Sequence, residues 1–238
     1  MEEVSALKIR IKFAKRGYMK FIGHLDTMRY FQKVMRRADV DMVYSEGFNP
    51  HQIMSFAAPL GVGLTSEGEY MDIEVNSTES SDKMVKRLNE QMVEGIEVLS
   101  YRKLPDNSKN AMSIVAAADY HIRFRKGYEP DIDIDEMFSR YIGCDSIIVT
   151  KKTKKSEKEV DIRNGIYEAK VLDDKIFLKL ASSSGDYLKP ELVMNGFYNY
   201  AGIEMSEYAL EIERREVYAE DSEGKQFVTL ESLGEIIQ

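Results

Sequence analysis

The chain has 238 residues, 43% hydrophobic and 31% charged, with a formal net charge of −8, a composition ordinary for a globular protein with one large core or two smaller ones. No apolar run approaches the ~20 residues needed to cross a bilayer, and the start Met-Glu-Glu-Val-Ser lacks the basic and apolar regions of a signal peptide, so a cytoplasmic location without a membrane partner is expected. One cysteine, Cys144, and three histidines exclude an internal disulfide and supply too few ligands for a thiolate cage; no metal site and no cofactor is expected, and Cys144 reads as a small buried hydrophobe.

Leu7, Ile9, Ile11 and Phe13 alternate with Lys8, Arg10 and Lys12, the period of two of a half-buried strand. After Gly17 and Gly23 the spacing becomes helical over residues 24–38. Leu25, Met28, Phe31, Met35 and Ala38 fall on one face, and Arg29, Lys33, Arg36 and Arg37 lie off it. Residues 42–44 read as a short strand, 45–63 as a turn-rich loop and 69–75 as a third strand. Ser80 or Ser81 suits the cap of a helix carrying Met84, Val85, Leu88 and Met92 on its inner side, and residues 96–101 close the series as a strand. The β-α-β-β-α-β order is that of the ferredoxin-like split unit.

The second half echoes the first. His121-Ile122-Arg123-Phe124-Arg125-Lys126-Gly127-Tyr128 can be laid on Arg10-Ile11-Lys12-Phe13-Ala14-Lys15-Arg16-Gly17-Tyr18 with one residue deleted, and self-similarity at such a spacing suggests tandem units. A helix over 134–141, a strand at 146–150 and a lysine-rich loop follow. Then come strands near 166–171 and 176–181 around an Asp173-Asp174 turn, a helix after Pro190 and a strand at 209–217. The fold class expected is α+β, two tandem ferredoxin-like halves with pseudo-duplication: residues 1–104, residues 112–238, and a polar linker at 105–111.

Charge is segregated along the chain. From Lys8 to Arg37 there are ten basic residues and a single acid, Asp26. Lys151, Lys152, Lys154, Lys155 and Lys158 form a second cluster. An acidic protein with one basic surface can still attract a polyanion locally, although a charged strand face is more often simply solvated. No Walker loop, no Gly-x-Gly-x-x-Gly after a strand and no Gly-x-Ser-x-Gly elbow is present. The acidic run Asp131 to Glu136 lacks the glycine and distal glutamate of a calcium loop and reads as charges favouring a helix N-terminus.

Two segments stand out: Gly23-His24-Leu25-Asp26-Thr27-Met28-Arg29 and Tyr44-Ser45-Glu46-Gly47-Phe48-Asn49-Pro50-His51. They resemble motifs of a bacterial family of radical-SAM-linked, or radical-SAM-associated, proteins of unknown function, whose patterns read approximately Ser-His-Leu-Asp-Leu-Met-Arg and Ser-Gln-Gly-Phe-Asn-Pro-His-Pro. Pro59-Leu60-Gly61-Val62-Gly63 and Glu69-Tyr70-Met71-Asp72-Ile73-Glu74 are similar to two further stretches, and Val160-Asp161-Ile162-Arg163 also matches. Gly23, Glu46 and Gln52 depart from the patterns, which weakens any chemical role for those three positions. The resemblance implies an accessory protein whose partner is a radical-SAM protein. The chain lacks the three-cysteine cluster motif of the radical enzyme itself.

Three readings of function follow. The first is a non-catalytic accessory or substrate-binding protein acting with a radical-SAM enzyme, with RNA as the substrate class and RNA modification as the setting. Its binding residues are Lys8, Arg10, Lys12, His24, Asp26, Arg29, Ser45, Phe48, Asn49 and His51, and its RNA surface is the basic strand face continued by Arg123 and Arg125. Phe13 and Phe124 share the inward register, so the aromatic platform of such a sheet is missing, and Phe48 and Phe56 read as loop anchors packed into a core. The second is a metal-independent RNA-processing endoribonuclease, by fold-level analogy only. It would need His24 and His51 to converge, with Lys20, Tyr18 or Asp26, on a phosphodiester. The structural alternative is that His24 orients its helix and Gly47-Phe48-Asn49-Pro50 anchors a loop. The third is a protein-interaction scaffold whose basic surface meets an acidic partner.

Overall fold

A computed structural model describes residues 6–152 and 157–238; Lys154 and Lys155 of the second lysine cluster lie outside the described residues. The fold is α+β, with few helices. Its two compact units are the residues up to Ala116 together with Glu216–Gln238, and Ala117–Arg215. Among the described residues, no helix is long and apolar enough to cross a membrane.

Unit one begins with β1 (Leu7–Lys15), a 3-10 turn (Gly17–Phe21) and α1 (His24–Arg37), followed by β2 (Met54–Phe56), β3 (Thr65–Val75), α2 (Ser81–Asn89) and β4 (Ile96–Lys103). The strands lie in the order β4-β1-β3-β2, every neighbouring pair antiparallel. Alternation in β1 buries Ile9, Ile11 and Phe13, and β3 answers with Met71, Ile73 and Val75. On α1, Phe31, Val34 and Met35 fill the same core, with Met84 and Leu88 of α2. The strand expected at 42–44 is reduced to two isolated bridges, Met42 to Val75 and Tyr44 to Gln52. The second strand comes later, inside the expected loop, where Met54, Ser55 and Phe56 pair with Ile73, Asp72 and Met71. Ser80 precedes α2 without a side-chain capping bond.

The short helix α3 (Ala111–Ile114) leads into β5 (Val115–Phe124). Unit two then runs through α4 (Ile134–Ile142), β6 (Ile148–Lys152), β7 (Glu157–Asp161), β8 (Ile166–Leu172), β9 (Lys175–Ala181), α5 (Pro190–Ala201) and the first part of β10 (Leu210–Glu220), whose residues from Glu216 belong to unit one. Its main sheet has the order β10-β5-β9-β8, and β6 and β7 form a separate hairpin. Phe138, Tyr141 and Phe197 stack in its core, with Phe138 and Phe197 centroids 5.2 Å apart. As the acidic run predicts, Asp133 caps α4 by accepting the Glu136 N–H at 3.0 Å. Cys144 is part-exposed and its thiol faces the Arg140 carbonyl at 3.5 Å, so it is not the fully buried hydrophobe expected.

The division expected at 105–111, with a second half running to 238, differs from this grouping at both ends. Lys8 Nζ donates to the carbonyls of Asp106 at 2.7 Å and Ser108 at 3.3 Å, and the Ala111 N–H donates to Asp72 at 2.6 Å, which ties that segment to unit one. After β10 the chain pairs back on itself as β11 (Phe227–Thr229). It then bridges Glu235 to Lys103 of β4 and ends with Ile237 bonded to Ser81. Composition marks polar stretches; it does not reveal that a distant segment returns.

Candidate functional site

The strand stripe is covered. Arg10 is 1% exposed and forks onto Asp72, with Nε 2.8 Å from Oδ1 and Nη2 2.9 Å from Oδ2, while Nη1 donates to the Leu230 carbonyl at 3.1 Å. Lys12 Nζ donates to Glu216 at 2.6 Å and to Glu231 at 3.0 Å. Burial lowers the Lys12 pKa, but the two carboxylates outweigh it and the net shift is upward. The Tyr70 hydroxyl donates to Glu216 at 2.6 Å, and burial together with that carboxylate pushes its pKa far up. In unit two, Arg123 lies 3.0 Å from Asp174 and 3.7 Å from Glu213, and Arg125 lies 3.9 Å from Glu211. Cations matched in this way keep little field for a polyanion. Arg10 and Lys12 therefore do not join Lys8, which is half-buried and bonded to the Asp106 and Ser108 carbonyls, in the solvent-facing stripe expected, because alternation sets the side of a strand and not what covers that side.

His24 opens α1 with its ring edge-on to Phe56, centroids 5.2 Å apart. With Phe13, Lys15, Thr27, Phe56 and Glu69 it lines a cavity of about 10 Å³, near the lower limit for one water and too small for a substrate. Lys15 and Glu69 are 3% and 5% exposed, and Lys15 Nζ donates to the Ile22 carbonyl at 2.5 Å. Neither was singled out from the sequence, yet parity could have found them. Lys15 continues the Ile9-Ile11-Phe13 series and Glu69 the Met71-Ile73-Val75 series, and Phe13 and Glu69 are direct cross-strand partners. The rest of the helix start faces outward: Asp26 and Arg29 form an exposed pair at 3.2 Å, and Lys20 Nζ sits 5.4 Å from the Phe21 ring centre. Leu25, expected on the inner face, is 61% exposed, because Thr27, Phe31, Val34 and Met35 take the buried side.

Ser45 and His51 close the loop between them. The Ser45 N–H donates to the His51 carbonyl at 2.8 Å, the His51 N–H donates to Ser45 Oγ at 3.1 Å, and that Oγ lies 2.8 Å from His51 Nδ1. Gly47 adopts a φ of 106° inside the loop, Phe48 at its tip is wholly exposed and Asn49 is exposed beside it. Phe48 is therefore not a core anchor, whereas Phe56 is one. The two histidines attach at different points of β3. Phe56, beside His24, pairs with Met71, while the base of the loop at Val43 and Ile53 bonds Glu74. Three strand residues separate those points, about 10 Å. No hydrogen bond or ring contact joins His24 to His51 among the described residues, and none of their ring partners is a second acid or base. Among the described residues, no group of three or more His, Cys, Asp or Glu could hold a metal ion.

Residues 8–190 match a family described as "Uncharacterized protein conserved in bacteria (DUF2344)". The chain belongs to this family. The matched region holds both loop motifs and all of β5 to β9. Glu216, Leu230 and Glu231, which engage Lys12 and Arg10, lie beyond it. No curated protein matches the chain.

Proposed function

We propose that this family member is a non-catalytic accessory protein that binds a substrate, with RNA as its class, and presents it to a partner enzyme of the radical-SAM type. The observation that carries the reading is the closed loop from Ser45 to His51, which holds Phe48 wholly exposed at its tip. A large ring held out by a braced loop costs little entropy to dock, which is the character of an interface anchor. The sequence resemblance to radical-SAM-linked proteins supports the choice of partner. The nuclease alternative gains no support from the separate settings of His24 and His51.

The reading includes a duplicated ferredoxin-like origin for the two units. It is supported by the orders β4-β1-β3-β2 and β10-β5-β9-β8, in which the last, first, third and second main strands of each unit lie side by side. The echo of residues 10–18 in residues 121–128 supports it too, since Gly17 and Gly127 both take a positive φ, 55° and 85°.

The test is co-expression of the tagged chain with the radical-SAM protein of the same bacterium, followed by size-exclusion chromatography. A shared peak that survives nuclease treatment and is lost with Phe48→Asp is expected. Separate peaks for the wild-type proteins, or RNA cleavage by the isolated chain that His24→Ala and His51→Ala abolish, would overturn the accessory reading.

A further inference from the structure

With the strand face of unit one occupied by its own carboxylates, a different surface carries unmatched cations. On α1, Leu25, Arg29, Lys33 and Arg36 follow one another at intervals of four, four and three residues, so they form one line along the helix. All four are exposed. The only acid of this helix is Asp26, which meets Arg29 in an exposed pair at 3.2 Å. Neither Lys33 nor Arg36 makes an ion pair among the described residues; Arg36 Nε donates only to the Gln32 carbonyl at 3.2 Å. Arg29 to Arg36 spans about 10 Å of helix.

Two exposed rings precede this helix in the chain, and Tyr18 lines a groove with Met92, Val93, Glu94 and Glu97. Tyr18 is 90% exposed and Phe21 60% exposed. They are three residues apart within the 3-10 turn Gly17–Phe21, a geometry that brings such side chains onto one side. The Gly63 N–H donates to the Lys20 carbonyl at 2.8 Å, which sets Val62, 62% exposed, beside the turn. Lys20 adds a cation next to Phe21.

We propose that single-stranded RNA binds along this track, with bases stacking on Tyr18 and Phe21 and the phosphate backbone running past Arg29, Lys33 and Arg36. Exposed ring faces beside a row of exposed Arg and Lys, in which Arg29 alone has a carboxylate neighbour among the described residues, are the two elements of single-strand recognition, stacking platforms and phosphate contacts. Paired bases offer no free faces to such rings, so a duplex is the poorer ligand. The choice of RNA rests on the function proposed above, but the track is on the isolated chain and needs no enzyme.

The experiment is fluorescence anisotropy of a short labelled single-stranded RNA with the full chain, over a salt series. Three neutralised phosphates give a slope of log affinity against log salt of about −2. Tyr18→Ala and Phe21→Ala should each weaken binding at least about fivefold. The combined Arg29→Glu, Lys33→Glu and Arg36→Glu variant should abolish it. Tyr208→Ala, which removes an exposed ring of unit two, should leave affinity unchanged. All the substituted side chains are exposed, and a circular dichroism melt of each variant checks that it folds. No binding by the wild-type chain, equal binding of an RNA duplex, or an unaltered affinity in the triple variant would overturn the proposal. Binding of poly-L-glutamate in place of RNA would overturn it in favour of an acidic protein. Complex formation with the enzyme is read separately, so failure of one result leaves the other standing.

Discussion

Arg10→Met is the substitution on which a buried role and a surface role diverge most. In the folded protein it would leave Asp72 with the Ala111 N–H at 2.6 Å and no cation, and it would remove the donor of the Leu230 carbonyl. Removing one partner of a buried pair costs about 3–5 kcal/mol. The orphaned carbonyl adds about 1–3 kcal/mol, and the apolar methionine returns about 1.5–3 kcal/mol by its own burial. Asp72 retains some access to water, with 11% of its side chain exposed, so the net loss is placed at about 3 kcal/mol. Urea unfolding followed by circular dichroism reads it as a midpoint lower by about 1–3 M, since the slope for small proteins is about 1–3 kcal/mol per molar. Arg10→Met combined with Asp72→Leu should recover much of the loss, because replacing both partners by apolar groups is far cheaper than removing one. A single-variant cost within about 0.5 kcal/mol, the range of ordinary surface positions, would refute the buried-clamp account and restore Arg10 to an open face.

The Glu231 pKa is lowered: burial opposes the shift, and the Lys12 ammonium, bonded to the carboxylate at 3.0 Å, outweighs it. A depressed carboxyl stabilises the fold above its unfolded value of about 4.3 and loses that contribution as pH falls through the lower folded value. Glu231→Gln should therefore cost stability at neutral pH and flatten the acid limb of a melting-temperature profile below about pH 4; a parallel profile would contradict this. Gly95 has a φ of 91°, and a Cβ there would lie 2.7 Å from the Arg16 carbonyl oxygen, so Gly95→Ala should destabilise by about 2–4 kcal/mol from backbone strain and overpacking together, measured by urea unfolding. Phe48→Ala should change the melting temperature negligibly, a stability effect within about 0.5 kcal/mol, whereas Phe56→Ala, at a 6% exposed ring packed on Phe13, Phe31 and His24, should cost about 3–5 kcal/mol.

Much of the secondary structure was legible because its signals are local. The alternation of β1, the spacing of Phe31 and Met35 on α1, the Asp173-Asp174 turn between β8 and β9, and Pro190 at the start of α5 each depend on a few neighbouring residues. Less of the candidate site could be seen. Phe48 has the composition of an anchor, and only the Ser45–His51 closure reveals that it points into solvent. Leu25 belongs by spacing to either edge of a helical stripe, and the packing of Thr27 and Val34 decided which.

The sequence by itself determined the α+β class, the order of the main elements and the place of the two loop motifs, because hydrogen-bonding period and turn chemistry are written over short distances. The tertiary structure alone decided which charges are available. Lys12 and Arg10 meet Glu216, Glu231 and Leu230 more than two hundred residues away, while Lys33 and Arg36 meet no carboxylate among the described residues. No local pattern encodes a partner at that separation, since the contact exists only once the end of the chain has returned to unit one.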